Sequence, residues 1–328
     1  MASSELDVVA IGDAIVDVIA TCDDAFLAQH RLPKGSMQLL STSDADALYA
    51  AMGPAREISG GSAANSMAGA AALGLRAAFI GQVANDQLGD IFAHDMRSLG
   101  VQFDTAPLSE GPPTGRCLIL VTPDAQRTMN TCPGASYELT TRALNDELIR
   151  SAAVTFLEGY LWGPESPRAA MLDAARIAQA AGRTVAFTLS ESLCIPGRRE
   201  GVMGMIEAGL VDLLFGNEHE VRHLTGCGEL AKCLDALAPK VGTLVVTRGA
   251  EGAIAVANGE HVEVPAAPVH NIVDTTGAGD LFAAGFIAGR FRGRNLRGCL
   301  EAGSIAAAEV ISHFGARPET DLRQLVAL

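Results

Sequence analysis

Apolar residues in this chain fall into short continuous runs separated by stretches where they recur every three or four positions. The continuous runs are LDVVAIG (6–12), RAAFIGQVA (76–84), CLILVT (117–122), AAVTFLEG (152–159), RTVAFTL (183–189), LVDLLFG (210–216), GTLVVTRG (242–249) and AIAVAN (253–258). Runs of this length read as strands buried on both faces. Between many of them lie the helix-like segments NSMAGAAALG, LGDIFAHDMRSLG, SPRAAMLDAARIAQAAG and NEHEVRHLTG, with Gly74, Gly100 and Gly182 as helix stops. The alternation predicts a mainly parallel sheet covered by helices on both faces, an α/β/α arrangement.

Two segments interrupt the rhythm. Residues 14–50 show no strand–helix alternation, and residues 101–135 hold short strand-like pieces joined by GPPTG, TPDAQ and CPGAS. We read 1–13, 51–100 and 136–328 as the main α/β unit and 14–50 and 101–135 as excursions forming a small β-rich lid. Ligands of open parallel sheets bind beyond the carboxyl ends of the strands, where such a lid would close.

Composition narrows the function classes. With 328 residues, 48% of them apolar, the chain can bury a large core. No run of eighteen apolar residues could span a bilayer, and the acidic N-terminus is unlike a secretory signal. A soluble, cytoplasmic protein is expected, as a monomer or homodimer. The net charge of −14 argues against a nucleic-acid partner, and four arginines in 290–297 read as a solvated helix end. The seven cysteines (22, 117, 132, 194, 227, 233, 299) contain no CxxC pair and read as reduced thiols. His219 and His223 have metal-ligand spacing on a helix but no third ligand nearby, so exposed or capping histidines are expected.

Familiar phosphate-binding motifs are missing. GAGDLF fails GxGxxG at its last position, and none of the three lysines (34, 232, 240) follows a glycine as Walker A requires. A site for phosphate must then use backbone amides. DTTGAGD (274–280) offers them: Gly277, Ala278 and Gly279 would open a helix over 277–288, whose free N–H groups and dipole attract an anion. Asp280, one step inside, could take a proton from an attacking hydroxyl. The plainer alternative is a helix capped by Thr275 or Thr276. In EISGGSAANSMAGAAALG (57–74), Gly60-Gly61 makes a close-approach turn, and Asn65 could read a sugar diol or simply be exposed. In AIGDAIVDV (10–18), Asp13 and Asp17 should emerge at a strand's carboxyl end and face one cleft, or remain solvated turn acids.

GGSAANS followed by DTTGAGD closely resembles the two signatures of the PfkB (ribokinase-like) family of sugar and nucleoside kinases. NEHE (217–220) resembles that family's NxxE element and TRGAEG (247–252) its nucleotide loop, so the likeness spans essentially the whole chain. The resemblance implies a ribokinase-like three-layer fold, ATP and Mg²⁺. It implies Asp280 as base and Gly277, Ala278 and Gly279 as the anion hole. Asp13, Asp17, Gly61 and Asn65 would bind the acceptor. Asn217 and Glu220 would organise Mg²⁺ through water, with Thr247 and Gly249 at the nucleotide. Asp274 and the Thr276 carbonyl match a monovalent-cation site found in some members, making K⁺ a candidate activator.

GGSAANS is most similar to the adenosine-kinase branch, although Asp13 stands where many of those enzymes carry Asn. A nucleoside acceptor, adenosine first, is the leading expectation. A sugar such as ribose, fructose or ketodeoxygluconate comes second, and a non-catalytic nucleotide sensor third. Tyr160, Leu161 and Trp162 are expected near the cleft, as a stacking wall or as core behind the sheet. Arg127 is expected on the lid, as a surface residue or as a charge delivered on closure.

Overall fold

A computed structural model describes residues 6–124, 126–190 and 198–327. Cys194 lies outside the described residues; the other six cysteines are free thiols. The strands in chain order are β1 Leu6–Ile11, β2 Ile15–Thr21, β3 Met37–Leu39, β4 Arg56–Gly60, β5 Ala77–Ile80, β6 Val101–Gln102 and β7 Gly115–Val121. They continue as β8 Arg127–Cys132, β9 Ala152–Glu158, β10 Thr184–Thr188, β11 Leu213–Asn217, β12 Thr243–Thr247, β13 Ala253–Ala257 and β14 Glu260–Val264. All eight apolar runs form strands, and the four helix-like segments form Ser62–Ala72, Gln87–Ser98, Glu165–Ala180 and Glu218–Thr225.

Among the described residues nine strands build the large sheet in the order β14-β13-β12-β11-β10-β9-β1-β5-β6. It is parallel from β12 to β6, with β13 and β14 added antiparallel at one edge. Strand alternation sends Val8 and Ala10 into the core beneath Ser62–Ala72, Gln87–Ser98, Ala278–Phe291 and Leu296–Val310. Val9 and Ile11 enter the opposite core with Glu165–Ala180, Arg198–Glu207 and Leu230–Leu237. Each fully buried Phe in these layers, such as Phe156, Phe187 and Phe286, contributes roughly 1.5–3 kcal/mol.

The smaller sheet has the order β3-β8-β7-β2-β4. Its two faces follow period two. Val16, Val18, Leu118 and Leu120 join the large core, while Ile15, Cys117 and Ile119 form a separate apolar layer with Met129. Two boundaries move relative to the sequence reading. Arg56–Gly60 pairs with β2 in the small sheet, and Val101–Gln102 adds to the edge of the large one beside β5. Neither short strand carries a distinctive apolar run, so only pairing partners decide where each belongs. AIGDAIVDV is also not one strand end: the chain leaves β1 at Ile11 and enters β2 at Ile15. Among the described residues no helix is long and apolar enough to cross a membrane.

Candidate active site

A cavity of about 430 Å³ lies beyond the carboxyl ends of the parallel strands, roofed by the small sheet. Its floor takes Asp13 after β1, Glu158 at the end of β9, Thr188 of β10, Asn217 of β11 and Thr247 of β12. Its roof takes Ile15, Asp17, Met37, Leu39, Cys117, Ile119, Met129 and Thr131. The sequence-predicted residues Asp13, Asp17, Gly61, Asn65, Asn217, Glu220, Thr247, Thr276, Gly277, Ala278, Gly279 and Asp280 all line this one space. Gly249 and Asp274 do not; Gly249 opens a short 3-10 turn after β12.

Two helix starts meet at one wall. Gly69 carries no side chain where a Cβ would lie 2.5 Å from Leu281 Cδ1 and 3.0 Å from Ala284 Cβ, so helices Ser62–Ala72 and Ala278–Phe291 pack closely. That contact brings their first turns together. Ser62 Oγ donates to Asp280 Oδ1 at 2.5 Å and Asn65 Nδ2 donates to Oδ2 at 2.9 Å. Burial raises the Asp280 pKa, opposed by these two donors and by the Arg317 guanidinium.

The DTTGAGD helix begins one residue later than expected, at Ala278 with Gly277 as N-cap, and runs to Phe291. The alternative of a threonine cap is not realised, because no side chain caps this helix. Gly277 adopts φ 80°, and a Cβ there would sit 2.7 Å from Ala316 Cβ. That left-handed residue lets the chain turn from the 274–276 loop straight into the helix. A Cβ on Gly279 would meet nothing within 4 Å. No side chain caps the first turn: the Ala278 amide donates to the Thr275 carbonyl at 3.3 Å, while Gly279 faces open space, an arrangement in which helix starts receive anions.

The acids of AIGDAIVDV occupy two different elements. Asp13 sits in the β1–β2 connection, buried, with Oδ1 lacking a protein partner. Burial pushes its pKa up to about 7, with Arg198 opposing. Glu158, fully buried, accepts from the Ala63 amide at 2.6 Å, and its pKa is raised well above the carboxylate range by burial and by Asp13. Gly61, at φ 94°, turns the chain from β4 into helix Ser62–Ala72 against the Asp13 backbone: a Cβ there would lie 2.3 Å from the Asp13 carbonyl. Asp17 projects from β2 in the roof, and burial pushes its pKa to about 6 against the pull of Arg317 and Arg127.

NEHE forms a capping box. Asn217 Oδ1 accepts from the Glu220 amide and Glu220 Oε2 accepts from the Asn217 amide, both at 2.8 Å. His219 and His223 are exposed on this helix. Arg127 departs from the surface reading. Its side chain is 10% exposed, pairs with buried Asp274 at 2.7 Å and donates to Thr276 Oγ1 at 3.1 Å. Asp274 also accepts from the amides of Thr276 and Gly315 at 3.0 and 2.8 Å. Tyr160 lines the cavity, whereas Leu161 and Trp162 are buried in the core, Trp162 edge-on to Phe187.

Sequence reasoning missed Ser62, Glu158 and Arg317. Ser62 lies inside a quoted motif, and Glu158 was visible as an acid ending an apolar strand. Arg317 follows a C-terminal glycine turn and has no local signal.

Comparison with known proteins places this arrangement. The profile of the pfkB family carbohydrate kinases matches residues 6–322. The crystal structure of adenosine kinase from Sinorhizobium meliloti is 45% identical, with 99% of each chain covered and a TM-score of 0.92. That of a probable sugar kinase protein from Rhizobium etli CFN 42 is 42% identical, covering 99% of this chain and 98% of the other, also with a TM-score of 0.92. A 5-dehydro-2-deoxygluconokinase from Shouchella clausii is 30% identical over 82% of this chain and 85% of its own. This chain therefore belongs to the pfkB family of carbohydrate kinases, phosphotransferases that act on sugars or nucleosides.

Proposed function

We propose that the chain is an ATP-dependent kinase that phosphorylates a primary hydroxyl of a ribose-containing nucleoside, adenosine first. The observation that carries the chemistry is Asp280, held by Ser62 and Asn65 beside the uncapped helix start at Gly277–Gly279 in one cavity. Asp280 takes the proton of the acceptor hydroxyl as its oxygen bonds to the γ-phosphorus and the bond to the ADP oxygen breaks. The amides at Gly277, Ala278 and Gly279 stabilise the charge on the transferring group. Thr247 contacts the nucleotide from within the cavity, and Gly249, in the turn just outside it, borders the nucleotide beyond the phosphates.

Mg²⁺ usually keeps several waters and binds through one or two carboxylates together with substrate phosphates. Glu220, buried at the cavity edge and ordered by Asn217, fits that donor set. The ion would neutralise phosphate charge there. K⁺ beside Asp274 and Thr276 enters only if Arg127 withdraws, because Arg127 and two amides already occupy the Asp274 carboxylate. Wild-type turnover should therefore be insensitive to replacing Na⁺ by K⁺.

The acceptor reading rests on two surfaces of unlike chemistry. Asp13, Asp17 and Asn65 suit the hydroxyls of a sugar, while Ile15, Ile119, Met129 and Tyr137 offer an apolar wall that suits a planar base. The likeness to an adenosine kinase at 45% identity supports the same acceptor. The small sheet, which carries much of this wall, acts as the lid over the acceptor. The test is ADP release from ATP and Mg²⁺ across nucleosides and monosaccharides, with K⁺ or Na⁺. Turnover of ribose, fructose or a keto-deoxy sugar acid without nucleosides would replace the acceptor. ATP binding without any turnover would favour a sensor.

A further inference from the structure

Arg317 stands near the reacting centre and takes no part in the chemistry above. Arg317 lies in the C-terminal segment after helix Leu296–Val310 and reaches back across the molecule. Its Nη1 donates to the Ala64 carbonyl at 3.0 Å, and its Nη2 donates to the Ser59 carbonyl at 2.8 Å and to Ser59 Oγ at 3.0 Å. Those carbonyls bracket residues 60–63, the turn that supplies Ser62 and leads to Asn65. One guanidinium thus grips both ends of the turn that holds Ser62 and leads directly into Asn65, the two residues whose side chains hold Asp280.

The same guanidinium faces acids on three elements. Asp280, Asp17 on β2 and Asp95 on helix Gln87–Ser98 all act on it electrostatically, and Asp95 Oδ2 also accepts from the Ser59 amide at 2.9 Å. Burial lowers the Arg317 pKa only to about 10, so the group stays charged at neutral pH. The other charges bearing on this cluster are Glu158, which repels Asp280, and Arg127 and Asp274, which act on Asp17. Arg127 is already committed to Asp274 at 2.7 Å. Arg317 is the cation whose field acts directly on Asp280.

We propose that Arg317 is a positioning residue: it fastens the 59–64 turn that presents Ser62 and leads into Asn65, and it sets a fixed positive charge behind Asp280. A base must be deprotonated to accept the hydroxyl proton, and burial opposes that state. A fixed cation behind the turn favours that state without touching the acceptor or the phosphates. Lysine could supply the charge but not the grip on two carbonyls at once. The catalytic consequence rests on the kinase reading; the effect on Asp280 ionisation does not.

The test follows Asp280 directly and through turnover. Protein with ¹³C-labelled aspartate carboxyls is titrated between pH 4 and 9, the Asp280 signal being assigned by its loss in Asp280→Asn. Arg317→Gln is expected to raise the Asp280 midpoint by about 1–2 pH units, the span typical of losing a close opposite charge. Arg317→Lys should stay within about half a unit of wild type. Should Arg317→Gln fail to fold, Arg317→Met provides a second neutral variant with an apolar stem. With adenosine and ATP, the acid limb of kcat should move upward by the same interval in the neutral variants. An unchanged Asp280 midpoint in a folded neutral variant, or an equal rise in Arg317→Lys, overturns the proposal. Full turnover by Asp280→Asn would instead overturn the choice of base, and the titration would still decide the role of Arg317.

Discussion

Asp17→Asn separates the demands of the site from the demands of folding. Asp17 is a buried carboxyl in the roof sheet, and burial lifts its pKa from the ordinary 3.8 to about 6. The folded state then holds the proton more tightly than the unfolded chain does. Its contribution to stability is complete below pH 3.8 and is lost as pH rises through about 6. Above that pH the folded protein carries a penalty of about 3 kcal/mol at this position.

Asparagine has nearly the same shape and no charge, so the penalty disappears. Urea denaturation should find Asp17→Asn as stable as wild type near pH 4 and up to about 3 kcal/mol more stable at pH 8, with the gain appearing between those values. At about 2 °C per kcal/mol for a large domain, the melting temperature at pH 8 should rise by about 6 °C. The same variant should lose acceptor phosphorylation, since the carboxylate proposed to bind acceptor hydroxyls is gone. A stability difference that does not change with pH, or a variant less stable than wild type at pH 8, would refute the assigned ionisation of Asp17.

Asp280→Asn keeps the shape that Ser62 and Asn65 surround but removes the base; kcat in the ADP-release assay should fall about 10²–10⁴-fold with unchanged circular dichroism. Gly61→Ala places a methyl 2.3 Å from the Asp13 carbonyl at φ 94°, so urea denaturation should show a loss of about 1–3 kcal/mol or more, together with a raised acceptor KM. Arg127→Met leaves Asp274 buried without its counter-ion; it should cost on the order of 3 kcal/mol in thermal or urea unfolding. The same variant should show a K⁺ stimulation of turnover larger than that of the wild type, read in the same ADP-release assay.

Much of the architecture was legible because buried strands and amphipathic helices announce themselves locally. LDVVAIG, AAVTFLEG and GTLVVTRG read as strands of a parallel sheet, and DTTGAGD could be read as an anion-receiving helix start, because period and glycine placement are properties of consecutive residues. The family, and through it the kinase chemistry, was likewise carried by short contiguous motifs. The split of AIGDAIVDV between two sheets was not legible, because the chain crosses there through a run of apolar residues with no turn sequence beyond Gly12 and Asp13. Arg127 looked like a surface residue until Asp274, far along the chain, supplied its buried partner.

The sequence alone determined the elements, the mainly parallel sheet and the short motifs that mark the family. Only the tertiary structure decided which of them meet: Gly69 against Leu281, Ser62 and Asn65 on Asp280, and Arg317 across the turn that carries them. The reason is physical. Periodicity and capping act over a few residues, whereas hydrogen bonds, burial and the pKa shifts they produce depend on neighbours brought together from more than two hundred residues apart.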